Sequence, residues 1–216
     1  MKKHNLKLKI IILLGTIFLA VSSVYAETAE EYVERARTDA QQGKLTQAIS
    51  DLTKAIEINP NYVEAYTYRG LVYVKQGNVT QAIADCTKAI EIDPNYAEAY
   101  SDRGVAYEGQ GNYAQAILDF NKAIEINPKK NLDMAYFGRA DSYLAQSNFT
   151  QAISDFNRAI EINPDFAAAY GNRGACYFHL KEYDKAWSDI HKAGSLGLIV
   201  NPIFLEELKK ASGRER

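Results

Sequence analysis

Cys176 and His179 stand three residues apart. On a helix that spacing puts a thiol and an imidazole one turn from each other, the geometry of two zinc ligands. A closed site needs four ligands, and no further Cys or His completes the set; the pair reads instead as a packing cysteine with a surface histidine, and no metal or cofactor is expected. No G-x-S-x-G elbow, phosphate-binding loop or H-E-x-x-H pair occurs in the sequence. Asn78-Val79-Thr80 and Asn148-Phe149-Thr150 match the glycosylation sequon. Thr46 holds the equivalent slot without an asparagine two residues before it, so helix capping by the threonines explains the pattern better.

The recurring charges are more informative. Arg35, Arg69, Arg103, Arg139 and Arg173 recur at one position, and Asp51, Asp85, Asp119, Asp155 and Asp189 at another. A row of arginines gripping an acidic ligand needs all five unpaired. A structural ion pair between two packed helices, repeated along the chain, needs only one Arg and one Asp per copy, and that is the expectation.

The elements that hold these residues are short helices in tandem. I-N-P or I-D-P tripeptides place prolines at Pro60, Pro94, Pro128 and Pro164, with gaps of 34, 34 and 36 residues. Such a period marks stacked repeats, in which no unit buries its apolar face alone. In the copy from Val63 to Tyr96, Tyr66, Gly70 and Tyr73 share one side of a first helix, and Ala82, Ile83, Cys86, Ala89 and Ile90 share one side of a second. Gly77 and Asn78 break the first helix and Pro94 ends the second. Gly70 and Ala82 are expected where the two helices approach closely. Two turns lack the glycine: at Ser147-Asn148 the asparagine is expected to go left-handed, and at Lys181-Glu182 the turn is expected to close differently. Two extra residues near Lys129-Lys130-Asn131-Leu132 lengthen one connection.

The frame Y-x-x-x-G-x-x-Y…A…A…P resembles the tetratricopeptide repeat family. Tyr66, Gly70, Tyr73, Ala82, Cys86, Ala89 and Pro94 fill it; so do Tyr100, Gly104, Tyr107, Ala116, Phe120, Ala123 and Pro128. Further copies run through Tyr136, Ala140, Tyr143 and Pro164 and through Tyr170, Gly174 and Tyr177, with a weaker one at Tyr32, Ala36 and Pro60. The resemblance implies an all-α fold, a right-handed α-solenoid of five helix-turn-helix units at 29–62, 63–96, 97–130, 133–166 and 167–200. A capping helix is expected at 201–211, with Phe204, Leu208 and Ala211 as its apolar stripe. The resemblance further implies a concave groove, lined by the side of each first helix turned away from its own second helix, that holds an extended peptide or partner helix. The partner-binding candidates there are Glu64, Tyr68, Asp102, Phe137, Asp141, Asn172, Phe178 and His179. Aromatics with scattered acids suit a partner that is apolar and somewhat basic. These side chains are expected outside the core, so that truncating Phe137 or Phe178 leaves the melting midpoint unmoved. The lysine and asparagine clamp of the family's best-known peptide binders is absent: its slots hold Thr67 and Leu71, Ser101 and Val105, Phe137 and Asp141.

Residues 1–26 differ from the rest. Four lysines, an apolar run from Ile10 to Ala20 and Val24-Tyr25-Ala26 form the layout of a secretory signal peptide. The run is short for a spanning helix, which needs about 20 residues, so an uncleaved anchor is the alternative. Losing this segment moves the formal charge from −2 to −6; such a chain has no footprint for nucleic acid and, after cleavage, none for a membrane. Cys86 and Cys176 fall in different repeats and are expected to remain unpaired. Segment, repeats and cap leave no stretch for a catalytic domain. The expectation is a non-enzymatic interaction scaffold, exported to the periplasm or secreted, or alternatively a regulatory or targeting subunit of an envelope enzyme.

Overall fold

The computed structural model describes residues 27–126 and 131–214; the expected signal peptide lies outside them. Among the described residues every regular element is a helix. The chain divides into two compact units, one ending at Pro60 and the other beginning at Asn61.

The first unit is a helix pair, α1 (Ala29–Gln41) and α2 (Leu45–Ile58). Thr28 starts α1 with a reciprocal cap: the Glu31 amide donates to Thr28 Oγ1 at 3.2 Å, and the Thr28 amide donates to Glu31 Oε2 at 2.8 Å. Val33, Ala36 and Ala40 pack with Ala48, Leu52 and Ala55, all buried.

The second unit continues as α3 (Val63–Lys75), α4 (Val79–Ile92), α5 (Ala97–Gly109), α6 (Tyr113–Ile126), α7 (Leu132–Ala145), α8 (Phe149–Ile162), α9 (Ala167–His179), α10 (Tyr183–Ser195) and α11 (Pro202–Ser212). Within this unit each odd helix packs on the even helix that follows it, and each even helix packs on the next odd one, the order of an α-solenoid. Small residues set the approach. A Cβ on Gly70 would meet Cys86 Sγ at 2.7 Å, and one on Gly104 would meet the Phe120 ring at 3.0 Å. The first helices bury a second side as well. Ala65, Val72, Ala99, Ala106, Ala135 and Cys176 are inaccessible, and the buried Ser142 donates from α7 to Glu108 Oε1 on α5 at 2.7 Å.

Within each pair the turn closes through one carbonyl. The amides of Asn78, Asn112, Asn148 and Glu182 donate to Tyr73, Tyr107, Tyr143 and Tyr177 at 2.8–2.9 Å, the long bond of a Schellman turn. The residue before each must go left-handed. Gly77 and Gly111 do so, and Ser147 (φ 60°) and Lys181 (φ 61°) do so in their place. Both turn expectations are therefore corrected. It is Ser147 and not Asn148 that adopts the left-handed conformation, and the Lys181 turn closes as the others do. The threonine caps are corrected too: Thr46, Thr80 and Thr150 are each the second residue of their helices, which begin without a side-chain cap.

At the C-terminal end Asn201 Oδ1 accepts from the Ile203 amide at 2.8 Å, Pro202 opens α11 and Gly213 ends it in the left-handed region. Leu208 is buried, whereas Ala211 is exposed; Phe204 and Leu205 complete the covered stripe. Trp187 Nε1 donates to Ser212 Oγ at 3.1 Å, tying the end of α11 to α10.

Candidate partner-binding cleft

The charge ladder is structural. In all five copies the arginine reaches across its own helix pair in a two-pronged grip. Arg69, Arg103, Arg139 and Arg173 place Nε and Nη2 2.7–2.8 Å from both oxygens of Asp85, Asp119, Asp155 and Asp189, and Arg35 holds Asp51 likewise. The third nitrogen extends to the preceding pair: Arg103 Nη1 donates to Thr87, Arg139 Nη1 to Asn121 and Arg173 Nη1 to Asn157, at 2.6–3.1 Å. Each guanidinium also lies near the face of the tyrosine three residues before it, as Arg103 does at 5.7 Å from the Tyr100 centroid. These arginines are consumed by the fold and offer nothing to an acidic ligand.

An open surface remains on the other side of the first helices. Leu71 of α3, Glu98, Ser101, Asp102, Val105 and Glu108 of α5, and Met134 and Phe137 of α7 line a cleft of about 400 Å³ whose floor is Phe120 and Gly138. Val105 and Met134 are 37 % and 52 % exposed. The floor arises from complementary volumes. Phe120 crosses from α6 to α7, where a Cβ on residue 138 would stand 2.4 Å from its ring, so only glycine fits. One pair earlier the same two places hold Cys86 and Asp102, a short side chain against a longer one.

Of the eight residues singled out from sequence, Asp102 and Phe137 come together in this cleft. Asp141 sits farther along α7, where Asn172 Nδ2 of α9 donates to it at 2.8 Å. Glu64 and Tyr68 are half-buried on α3 and do not line the cleft. Phe178 packs edge-on against Phe204 of α11 at 5.3 Å, and His179 stacks on Phe149 at 4.7 Å. Phe137 stacks on Phe166 at 4.7 Å and leans on the buried Phe156 at 5.7 Å. The expectation that Phe137 and Phe178 stand clear of the core is thereby corrected: both are half-buried and packed on core clusters.

The cleft's electrostatics are one-sided. Burial, reinforced by Glu98, pushes the Asp102 carboxyl up to about 7. Glu108, also desolvated, is pushed up to about 7 despite its bond from Ser142, with Asp141 adding to the rise. Asp141 is raised by burial and partly relieved by Asn172. Glu108 escaped the reading of the sequence, although its place one turn beyond Val105 on α5 points it the same way. Cys86 and Cys176 are buried free thiols; burial pushes the Cys176 thiol up to about 12 and raises Cys86 as well, so neither is a nucleophile at neutral pH. Among the described residues no three His, Cys, Asp or Glu side chains gather as metal ligands.

Models described as TPR repeat match residues 36–77 and 70–111, and models described as tetratricopeptide repeat match residues 97–130 and 137–189. The chain belongs to the tetratricopeptide repeat family. Members of known structure share its fold. MamA is 26 % identical with a TM-score of 0.63, covering 82 % of this chain and 96 % of its own. PilW, described as a widely conserved type IV pilus biogenesis factor, is 18 % identical with a TM-score of 0.79, over 87 % of each chain. YrrB, described as a tetratricopeptide repeat protein with an unusual peptide-binding site, is 22 % identical with a TM-score of 0.63, over 89 % and 97 %. None of the curated proteins matches the chain.

Proposed function

We propose that this tetratricopeptide repeat protein is a non-enzymatic scaffold of the periplasm or cell envelope that holds an extended segment of a protein partner in the cleft across α3, α5 and α7. The cleft itself carries the reading: three successive first helices present apolar side chains and carboxylates to one open trough, while the arginines that could serve catalysis or anion binding are all engaged. The basic, apolar and small-residue layout of residues 1–26 supports export. The fold shared with PilW, a pilus biogenesis factor, is in keeping with an envelope role.

A photo-reactive residue placed at Val105 tests the site, with Leu118 on α6, 58 % exposed, as the control position. Illumination in the native host is expected to give a discrete protein adduct from position 105 and none from 118. Adducts from 118 alone would move the binding surface to the second helices. Intact-mass measurement of the same protein checks export, with a mature chain beginning at Glu27 as the expected result.

A further inference from the structure

Resting on the scaffold reading, we propose that Asp102 and Glu98 form a subsite for one cationic side chain, Lys or Arg, of the partner segment, whose flanking apolar side chains seat on Leu71, Val105 and Met134. Asp102 is the outlier among the aspartates of this region. Asp85 and Asp119 nearby each have a two-pronged guanidinium, whereas Asp102, among the described residues, has no hydrogen bond or ion pair from the protein. It stands half-buried at the cleft, its carboxylate partly desolvated by surrounding protein atoms while still reaching solvent.

The groups that face it are Leu71 from α3, the Cys86 thiol from α4, Glu98 and Glu108 from its own helix, the Phe120 ring from α6, and Met134, Phe137 and Gly138 from α7. None is cationic. Partly desolvating a carboxylate without giving it a protein partner is costly, and a ligand that brings the missing charge and donor offsets that cost. The cleft's volume of about 400 Å³ falls within the usual range of small-molecule pockets, about 300–1,000 Å³, and so has room for a long side chain. Although Glu98, Asp102 and Glu108 all line the cleft, no three such side chains among the described residues gather as metal ligands, against the six to eight oxygens that calcium takes, so a side-chain cation is favoured over a metal ion.

The raised Asp102 carboxyl adds a signature. Near neutral pH the acid is partly protonated. Seating an ammonium beside it draws the group to the carboxylate and releases the proton to solvent, so binding tightens as pH rises through about 7 and weakens below it.

The probe is a labelled pentapeptide with lysine at its centre and leucines on both sides, compared with the same peptide acetylated on that lysine. Fluorescence anisotropy with the mature chain at pH 8 is expected to show the lysine peptide binding about tenfold more tightly, in line with a charge-assisted hydrogen bond. The preference is expected to vanish in Asp102→Asn and to shrink at pH 5.5. A thermal melt of the variant, expected to be no lower than the parent at pH 8, shows that the fold is intact. Equal binding of both peptides, or a preference that survives Asp102→Asn, overturns the subsite and leaves the groove standing. No binding of either peptide overturns both. Calcium that raises the melting midpoint of the parent but not of Asp102→Asn would make this a metal site instead.

Discussion

At the scale of single residues, the same carboxylate chemistry is used in two opposite ways. Asp119 is 6 % exposed and gripped by Arg103. Removing the arginine leaves an uncompensated buried charge, so Arg103→Ala is expected to lower stability by about 3–5 kcal/mol in urea unfolding. Arg103→Lys is expected to recover only part of that, since an ammonium cannot span both oxygens and Thr87 together. For Asp51 the sign with pH follows from its depressed carboxyl, whose cause is first of all the hydrogen bonds from Arg35. Its contribution is present above the ordinary carboxylate range and is lost as pH falls through the lowered native value. Asp102 runs the other way. Its native carboxyl is raised to about 7, so the folded state holds the proton longer than the unfolded one, and stability is lost as pH climbs from about 4 to about 7. Asp102→Asn is therefore expected to melt higher than the parent at pH 8 and at the same temperature at pH 4, as differential scanning calorimetry would show. Gly138→Ala is expected to cost about 1–3 kcal/mol by overpacking against Phe120, and Phe120→Leu in the same chain to restore part of it.

At the scale of elements, the turns and the last helix show how much of the fold was legible. The period of the prolines, the small residues at Gly70 and Gly104 and the Arg–Asp spacing announced paired helices, because each is a local consequence of close packing. What escaped was set by geometry that residue type only biases. The Tyr143 and Tyr177 carbonyls demand a left-handed residue four positions on, and Ser147 and Lys181 comply despite their side chains. Ser147→Gly or Lys181→Gly is expected to raise the unfolding midpoint by relieving about 1–2 kcal/mol of conformational strain. The face assignments of Phe137 and Phe178 missed because a first helix here buries two sides, not one, leaving a narrow strip for a ligand. Truncating either ring is therefore expected to lower the melting midpoint, and truncating Phe137 to weaken partner binding as well. α11 seals α10 through Leu208, Phe204 and the Trp187–Ser212 hydrogen bond. Leu208→Ala is expected to cost about 2–5 kcal/mol and to speed hydrogen exchange first in α10 and α11, ahead of α5 and α6.

At the scale of the whole molecule, the fold class and the family were evident in the sequence, whereas the cleft was legible only in outline. Asp102 was singled out for the side of α5 it occupies, but its lack of a cationic partner among the described residues depends on where Arg103 spends its charge, which no spacing rule reveals. Glu108 became visible only when α7 brought Ser142 to it. The second-unit stack is joined pair to pair by the third nitrogens of Arg103, Arg139 and Arg173, which make neighbouring pairs share one hydrogen-bonded seam. The floor of the cleft sets a stricter rule. Phe120 meets Gly138, and Cys86 meets Asp102. Each repeat thus carries half of a key and half of a lock, cut for particular neighbours. A chain built with residues 97–130 duplicated in tandem would press Phe120 of one copy onto Asp102 of the next, a ring driven against a carboxylate where glycine belongs. The repeats look interchangeable in their shared frame, yet their order is written into the joints, and lengthening this protein by duplicating residues 97–130 would require changing a residue on one side or the other of the new seam.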